Sequence, residues 1–143
     1  MTEKEIHKIC KKYDIENYHI NPDMSIDVDG DVQLWGQLYI LRKLPLNFNR
    51  VTGYFNCSNN YLKSLKGSPI CVGGFYSCID NIITSLKYAP KVVLGDFRCY
   101  GNFLRSLKHA PEHIGRLWDT GDYYKKFPEY KRYLLIKKIK DYC

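Results

Sequence analysis

The stretch Val51-Thr52-Gly53-Tyr54-Phe55-Asn56-Cys57-Ser58-Asn59-Asn60-Tyr61-Leu62-Lys63-Ser64-Leu65 decides the architecture, because it recurs twice downstream at a fixed offset of 21 residues. Val51, Val72 and Val93 form one column, and Gly53, Gly74 and Gly95 the next. Then follow Phe55/Tyr76/Phe97, Cys57/Cys78/Cys99, Asn60/Asn81/Asn102, Leu62/Ile83/Leu104, Ser64/Ser85/Ser106, Leu65/Leu86/Leu107 and Pro69/Pro90/Pro111. A period of this size, kept by so many columns, identifies a solenoid whose units bury their apolar side only against their neighbours.

Each column has a mechanical reason. Phe55 and Cys57 alternate with period 2, which points both to the inner face of a short strand. Asn60 stands where that strand turns, and its amide can satisfy backbone groups that the bend leaves unpaired. Repeated in every unit, it predicts an asparagine ladder. Leu62 and Leu65 bury the return segment, the proline column punctuates it, and Gly53 permits a tight entry into the next strand.

Shifting the columns back by 21 gives a degenerate rung, with Val32 at the glycine position, Leu34 at the Phe55 position, Gly36 and Tyr39 in the cysteine and asparagine columns, and Leu41 and Leu44 at the leucines. Shifting them forward puts Trp118 in the Phe97 column and Thr120 in the Cys99 column, after which the register is lost. The expectation is therefore an α+β solenoid with a stack of about five short parallel strands over 32–121. Residues 1–31 read as an N-terminal cap. In it, the capping box Thr2-x-x-Glu5 opens a helix over 2–12, and two strands, Tyr18–Ile20 and Ser25–Val28, flank the turn Asn21-Pro22-Asp23. Residues 122–143 read as a C-terminal helical cap with Pro128 at its first position. The whole chain is one domain.

The repeat resembles the leucine-rich-repeat pattern L-x-L-x-x-N-x-L-x-x-L. Together with the run Ile26-Asp27-Val28-Asp29-Gly30-Asp31-Val32, it is similar to short leucine-rich-repeat proteins encoded by tailed bacteriophages, over roughly residues 13–115. That resemblance implies a leucine-rich-repeat stack in a phage-encoded chain, hence the host-cell cytoplasm. It supplies no catalytic residue. One departure is that Lys66, Lys87 and Lys108 stand where acidic residues are frequent in such repeats.

Composition narrows the function classes. The six cysteines are even in number, but three of them share one core column, where reduced cysteine acts as a small hydrophobe. No run is long and apolar enough for a membrane span, and MTEKEIHKICKK is unlike a signal peptide, so a cytoplasmic chain with reduced thiols is expected. The net charge of +7 favours acidic partners. From Tyr123 to Cys143 there are seven basic residues and two acidic ones.

Two surfaces are candidates for binding. The positions alternating with the core pair face outward on the concave sheet, and there Trp35, Tyr54, Phe75 and Tyr100 bring aromatics that the fold does not require. Asn56, Ser77, Ile79, Asp96 and Arg98 share that face. The second surface is a ridge of Lys66, Lys87 and Lys108 beside Lys63 and Arg105, with a geometry suited to an acidic partner or to phosphates. Three cysteines in a line poorly approximate a tetrahedral metal site, and His7, His19, His109 and His113 lie outside the columns. No nucleophile–base pair, glycine-rich phosphate loop or paired carboxylates occur. The reading is a non-enzymatic protein-binding module without metal or cofactor, engaging a host or phage protein through its concave face, with inhibition of a host factor or defence component as its purpose. The alternative is a nucleic-acid-binding accessory protein using the lysine ridge and the basic C-terminal helix.

Overall fold

The computed structural model describes residues 1–38 and 42–142, without the side chains at 123 and 139–142. It is a parallel β-solenoid of about four turns with a helix at each end. The chain opens with α1 (Glu3–Lys12), β1 (Tyr18–Ile20) and β2 (Ile26–Val28). Two short strands per rung follow: β3 (Val32–Gln33), β4 (Phe48–Val51), β5 (Phe55–Asn56), β6 (Cys71–Val72), β7 (Tyr76–Ser77), β8 (Val92–Val93), β9 (Phe97–Arg98), β10 (His113–Ile114) and β11 (Trp118–Asp119). Helices α2 (Gly121–Tyr124) and α3 (Pro128–Tyr142) end it.

The phenylalanine column forms a sheet of five parallel strands in the order β11-β9-β7-β5-β3. The valine column, which the sequence reading left unassigned, forms a second sheet, β1-β2-β4-β6-β8-β10, parallel except for the β1–β2 hairpin. Between the two strands of a rung lies the glycine corner. Gly53 N–H donates to Gly30 C=O at 2.8 Å, Gly74 to Gly53 at 2.8 Å and Gly95 to Gly74 at 3.0 Å. A Cβ on Gly95 would stand 2.7 Å from the Gly74 carbonyl, so glycine is required there by the approach of successive backbones.

The first rung differs from the expected register. Val32 pairs with Phe55, 23 positions on, and Leu34 N–H donates to Asn56 C=O, which places Leu34 beside Cys57. Val28-Asp29-Gly30-Asp31-Val32 is thus the first copy of the valine–glycine–phenylalanine unit, and the solenoid begins at β2 instead of residue 32. The two additional residues fall between Leu34 and the return leucine Leu44. Gly36 N–H donates to Ser58 C=O as Asn59 does to Ile79, and the Leu38 N–H is bonded to Asn60 Oδ1 at 2.6 Å. Tyr39 and Leu41 lie outside the described residues. A slip of two keeps every side chain on its expected face, because strand side chains alternate with period 2.

Inside, Phe55, Tyr76 and Phe97 stack at 5.5 and 5.7 Å, and Trp118 continues the column onto Tyr130 and Tyr133 of α3. The Tyr76 hydroxyl is fully buried but bonded to Ser68 Oγ at 2.8 Å. Cys57, Cys78 and Cys99 are buried free thiols. Burial pushes Cys57 and Cys99 up to about 12, and Cys78 well above the ordinary thiol range.

The asparagine ladder holds the turns. Asn81 Nδ2 donates to the carbonyls of Cys57 at 3.0 Å, Cys78 at 3.1 Å and Ile79 at 3.3 Å, while its Oδ1 accepts from Asn60 N–H at 3.1 Å and Leu62 N–H at 2.8 Å. Asn60 and Asn102 repeat the pattern. Ser64, Ser85 and Ser106 accept the N–H two residues on, closing the turns that present the three lysines. At the N-terminus, α1 carries the expected capping box and buries Ile6 and Cys10 over the first rung.

Candidate protein-binding face

The outward side of the five-stranded sheet carries three columns. With the corrected register they are Asp31/Tyr54/Phe75/Asp96/Leu117, Gln33/Asn56/Ser77/Arg98/Asp119 and Trp35/Ser58/Ile79/Tyr100/Gly121. Trp35 therefore stands in line with Ile79 and Tyr100 and not with Asn56 and Arg98. It is 57% exposed, and Tyr100 is 37% exposed. Among the described residues neither cap covers Trp35.

The first column is internally organised. Tyr54 and Phe75 stack in parallel, 4.7 Å apart with 5° between planes. The Arg98 guanidinium lies over the Phe75 ring at 4.8 Å and bonds Asp96 Oδ2 at 2.8 Å. Arg98, together with the Leu117 N–H that donates to Oδ1, holds the Asp96 carboxyl below its ordinary range. At the other end Asp31 Oδ1 accepts the Tyr54 N–H at 2.9 Å. The result is a rail, Asp31–Tyr54–Phe75–Arg98–Asp96, in which Arg98 and Asp96 are already paired and Asp31 is held by a backbone N–H. Rotamers fixed in this way lose little entropy when a partner docks.

Two expected contact residues are placed differently. Ser77 is buried, and its hydroxyl meets Ser58 Oγ at 2.8 Å, which seals the sheet instead of offering a contact. Asn56 is half-buried and uses Oδ1 to accept the Ser58 N–H. Ile79 is half-buried between Ser58 and Tyr100.

Sequence reasoning missed a neighbouring column. Immediately after the asparagines, Tyr61 is 58% exposed, Phe103 is 67% exposed, and Ile82 lies between them. The signal was present, since all three copies put a bulky apolar residue at a position the core does not use. These residues follow the turn residues Asn59, Asp80 and Gly101, which have φ of 59°, 51° and 68°. Asparagine, aspartate and glycine are the types that enter this left-handed region most readily.

Lys63, Lys66, Lys87, Arg105 and Lys108 are all exposed, and the Lys87 ammonium lies 5.2 Å from the centre of the Tyr88 ring. Among the described residues none of the five is in an ion pair. No group of three or more His, Cys, Asp or Glu residues is arranged to hold a metal ion, and no helix is long and apolar enough to cross a membrane, again among the described residues. No family model, curated protein or solved structure matches this chain.

Proposed function

We propose that the protein is a non-enzymatic binding module that engages a protein partner through the outward face of its five-stranded sheet. The observation that carries this reading is the exposure of Trp35 at 57% and Tyr100 at 37% in one outward column of a sheet whose core is built from the opposite face. Tryptophan, tyrosine and arginine are enriched where interfaces are strongest, and each large aromatic brings about 150–250 Å² of contact area. The Tyr54–Phe75–Arg98 rail beside them adds preformed surface, and Phe103 and Tyr61 extend the apolar area round the turn.

The finer identity belongs to the same proposal: a leucine-rich-repeat chain of phage origin, acting in the host cytoplasm on a host or phage protein and inhibiting a host factor or defence component. Its support is the repeat itself, with the ladder asparagine and two buried aliphatic residues (Leu62/Ile83/Leu104 and Leu65/Leu86/Leu107) in every complete copy. The test is affinity capture from phage-infected cells with the unaltered chain and with Trp35→Ala/Tyr100→Ala. A partner held by the first and lost by the second, at unchanged melting temperature, is the expected result. Equal capture by both would contradict the reading.

The alternative of nucleic-acid binding is favoured by one observation, the exposed column Lys66/Lys87/Lys108 repeated rung by rung and in no ion pair among the described residues. A gel-shift titration at low salt decides it: retardation abolished by reversing the three lysines to glutamate supports this reading, and no retardation of any nucleic acid removes it.

A further inference from the structure

We propose that the C-terminal edge of the six-stranded sheet, with α3 as its second wall, is a docking groove for an extended acidic peptide segment of a partner protein, which adds to β10 as a further strand. This site is separate from the aromatic face and does not depend on it.

The ladder shows why the edge is open. In the valine column each carbonyl accepts an N–H from the next rung: Val28 from Thr52 at 3.0 Å, Val51 from Gly73 at 2.9 Å, Val72 from Leu94 at 3.0 Å and Val93 from Gly115 at 2.8 Å. Ile114 is the next member of this column, and among the described residues no strand pairs with β10 on its far side. Its C=O points along the stack, away from β8. Its N–H points the same way, since one residue of a parallel strand turns both groups to one neighbour. The cap does close the adjacent glycine column, where Tyr133 Oη and Lys137 Nζ donate to Arg116 C=O at 3.1 and 3.2 Å. It leaves a cavity of about 760 Å³ between the Glu112–Ile114 edge and α3. That volume is within the range of specific ligand clefts, roughly 300–1,000 Å³.

The chemistry of the walls names the occupant. Ile114, Trp118, Tyr133 and Ile136 supply an apolar lining, and Ile136 stays 45% exposed although its helix packs on the solenoid. Lys108, Arg132 and Lys137 supply three positive charges, with Arg116 beside them in an ion pair to Asp96 at 3.9 Å, against two negative ones from Glu112 and Glu129. An extended strand answers all three elements: its backbone pairs with Ile114, alternate side chains enter the apolar lining, and acidic side chains between them meet the basic rim. A second copy of this chain is disfavoured, since it carries +7 and would bring a like-charged edge. Nucleic acid is disfavoured by the exposed edge carbonyls and by Glu112 and Glu129.

The test uses the full chain and a fluorescein-labelled octapeptide of alternating glutamate and valine, followed by anisotropy at low salt and by amide exchange. Saturable binding is expected, with slowed exchange at the Ile114 amide. Arg132→Glu, an exposed substitution, should weaken it about tenfold or more. Of two peptides N-methylated on alternate residues, the one whose methyls face β10 should lose binding and the other keep it. Trp35→Ala/Tyr100→Ala should bind the peptide as the unaltered chain does. The proposal is overturned by absence of saturable binding, by equal binding of both methylated peptides, by unchanged Ile114 exchange, by dimerisation through this edge, or by displacement of the peptide by a single-stranded oligonucleotide.

Discussion

The Tyr124 hydroxyl accepts the Leu104 N–H at 3.1 Å, in the place where Asn81 Oδ1 accepts from Leu62 at 2.8 Å and Asn102 Oδ1 from Ile83 at 3.3 Å. It also donates to the Asn102 carbonyl. A tyrosine of the first cap helix thus completes the asparagine ladder where the repeat itself stops. Tyr124→Phe would leave a buried donor and acceptor without this partner. A loss of about 1–3 kcal/mol is expected in denaturant unfolding. An unchanged midpoint would show that the cap holds the last rung by packing alone.

The internal asparagines should matter more. Asn81 takes part in five hydrogen bonds to the backbone of its own and the preceding rung. At about 1 kcal/mol net for each, Asn81→Ala should cost on the order of 3–5 kcal/mol. Leu86→Asp, which buries an unpaired charge at a fully buried position, should prevent folding altogether. Circular dichroism with thermal melts checks both, and a cooperative, unshifted melt for either would refute the column assignment.

Backbone strain predicts a gain. Tyr88 and His109 hold φ of 70° and 68° at the place where the first complete copy has Gly67, with φ of 96°. A side chain in this region costs about 1–2 kcal/mol. Tyr88→Gly should therefore stabilise the chain by about 1 kcal/mol, offset in part by the greater entropy of an unfolded glycine. Gly95→Ala should do the opposite, by about 1–3 kcal/mol, because its Cβ would meet backbone atoms that cannot swing aside. Melting temperatures of the two variants should move in opposite directions.

Alkaline stability follows from the thiols. Cys57 and Cys99 are neutral in the folded chain up to about 12, whereas the unfolded chain ionises them from about 9. Between those values the unfolded state binds fewer protons, so stability falls as pH rises, by up to about 1.4 kcal/mol per pH unit for each thiol. The slope from these thiols fades through pH 9 and is nearly gone below about pH 8. Denaturant midpoints from pH 8 to 11 should decline progressively less when Cys57 and Cys99 are replaced by alanine or valine. At pH 8 a thiol reagent should label half-buried Cys71 well before the three core cysteines.

The sequence carried the fold where the period held and lost it where the period changed. Columns from Val51 to Leu107 could be read directly because a core position repeated over three rungs tolerates little variation in volume. The first rung was displaced because its insertion changes the offset from 23 at Val32–Phe55 to 21 at Arg50–Cys71. Trp35 remained outward in either register, since the slip was even. The second sheet was hidden because each complete copy contributes to it a single repeated inward residue, Val51, Val72 or Val93, whereas the first sheet repeats an alternating pair, Phe55 and Cys57 and their equivalents. Tyr124 was illegible for a different reason: one hydroxyl replaces an amide from another residue type at another spacing. The Asp96–Arg98 pair was within reach, as residues two apart on a strand share a face.

The central claim, that the partner docks on the outward face of the five-stranded sheet, is tested most directly by site-specific photocrosslinking in infected cells. A photoreactive amino acid replaces Trp35 in one variant and Arg50, exposed on the six-stranded sheet, in another. A protein adduct from position 35 and none from position 50 is the predicted result. An adduct formed from position 50 and not from position 35 would contradict it.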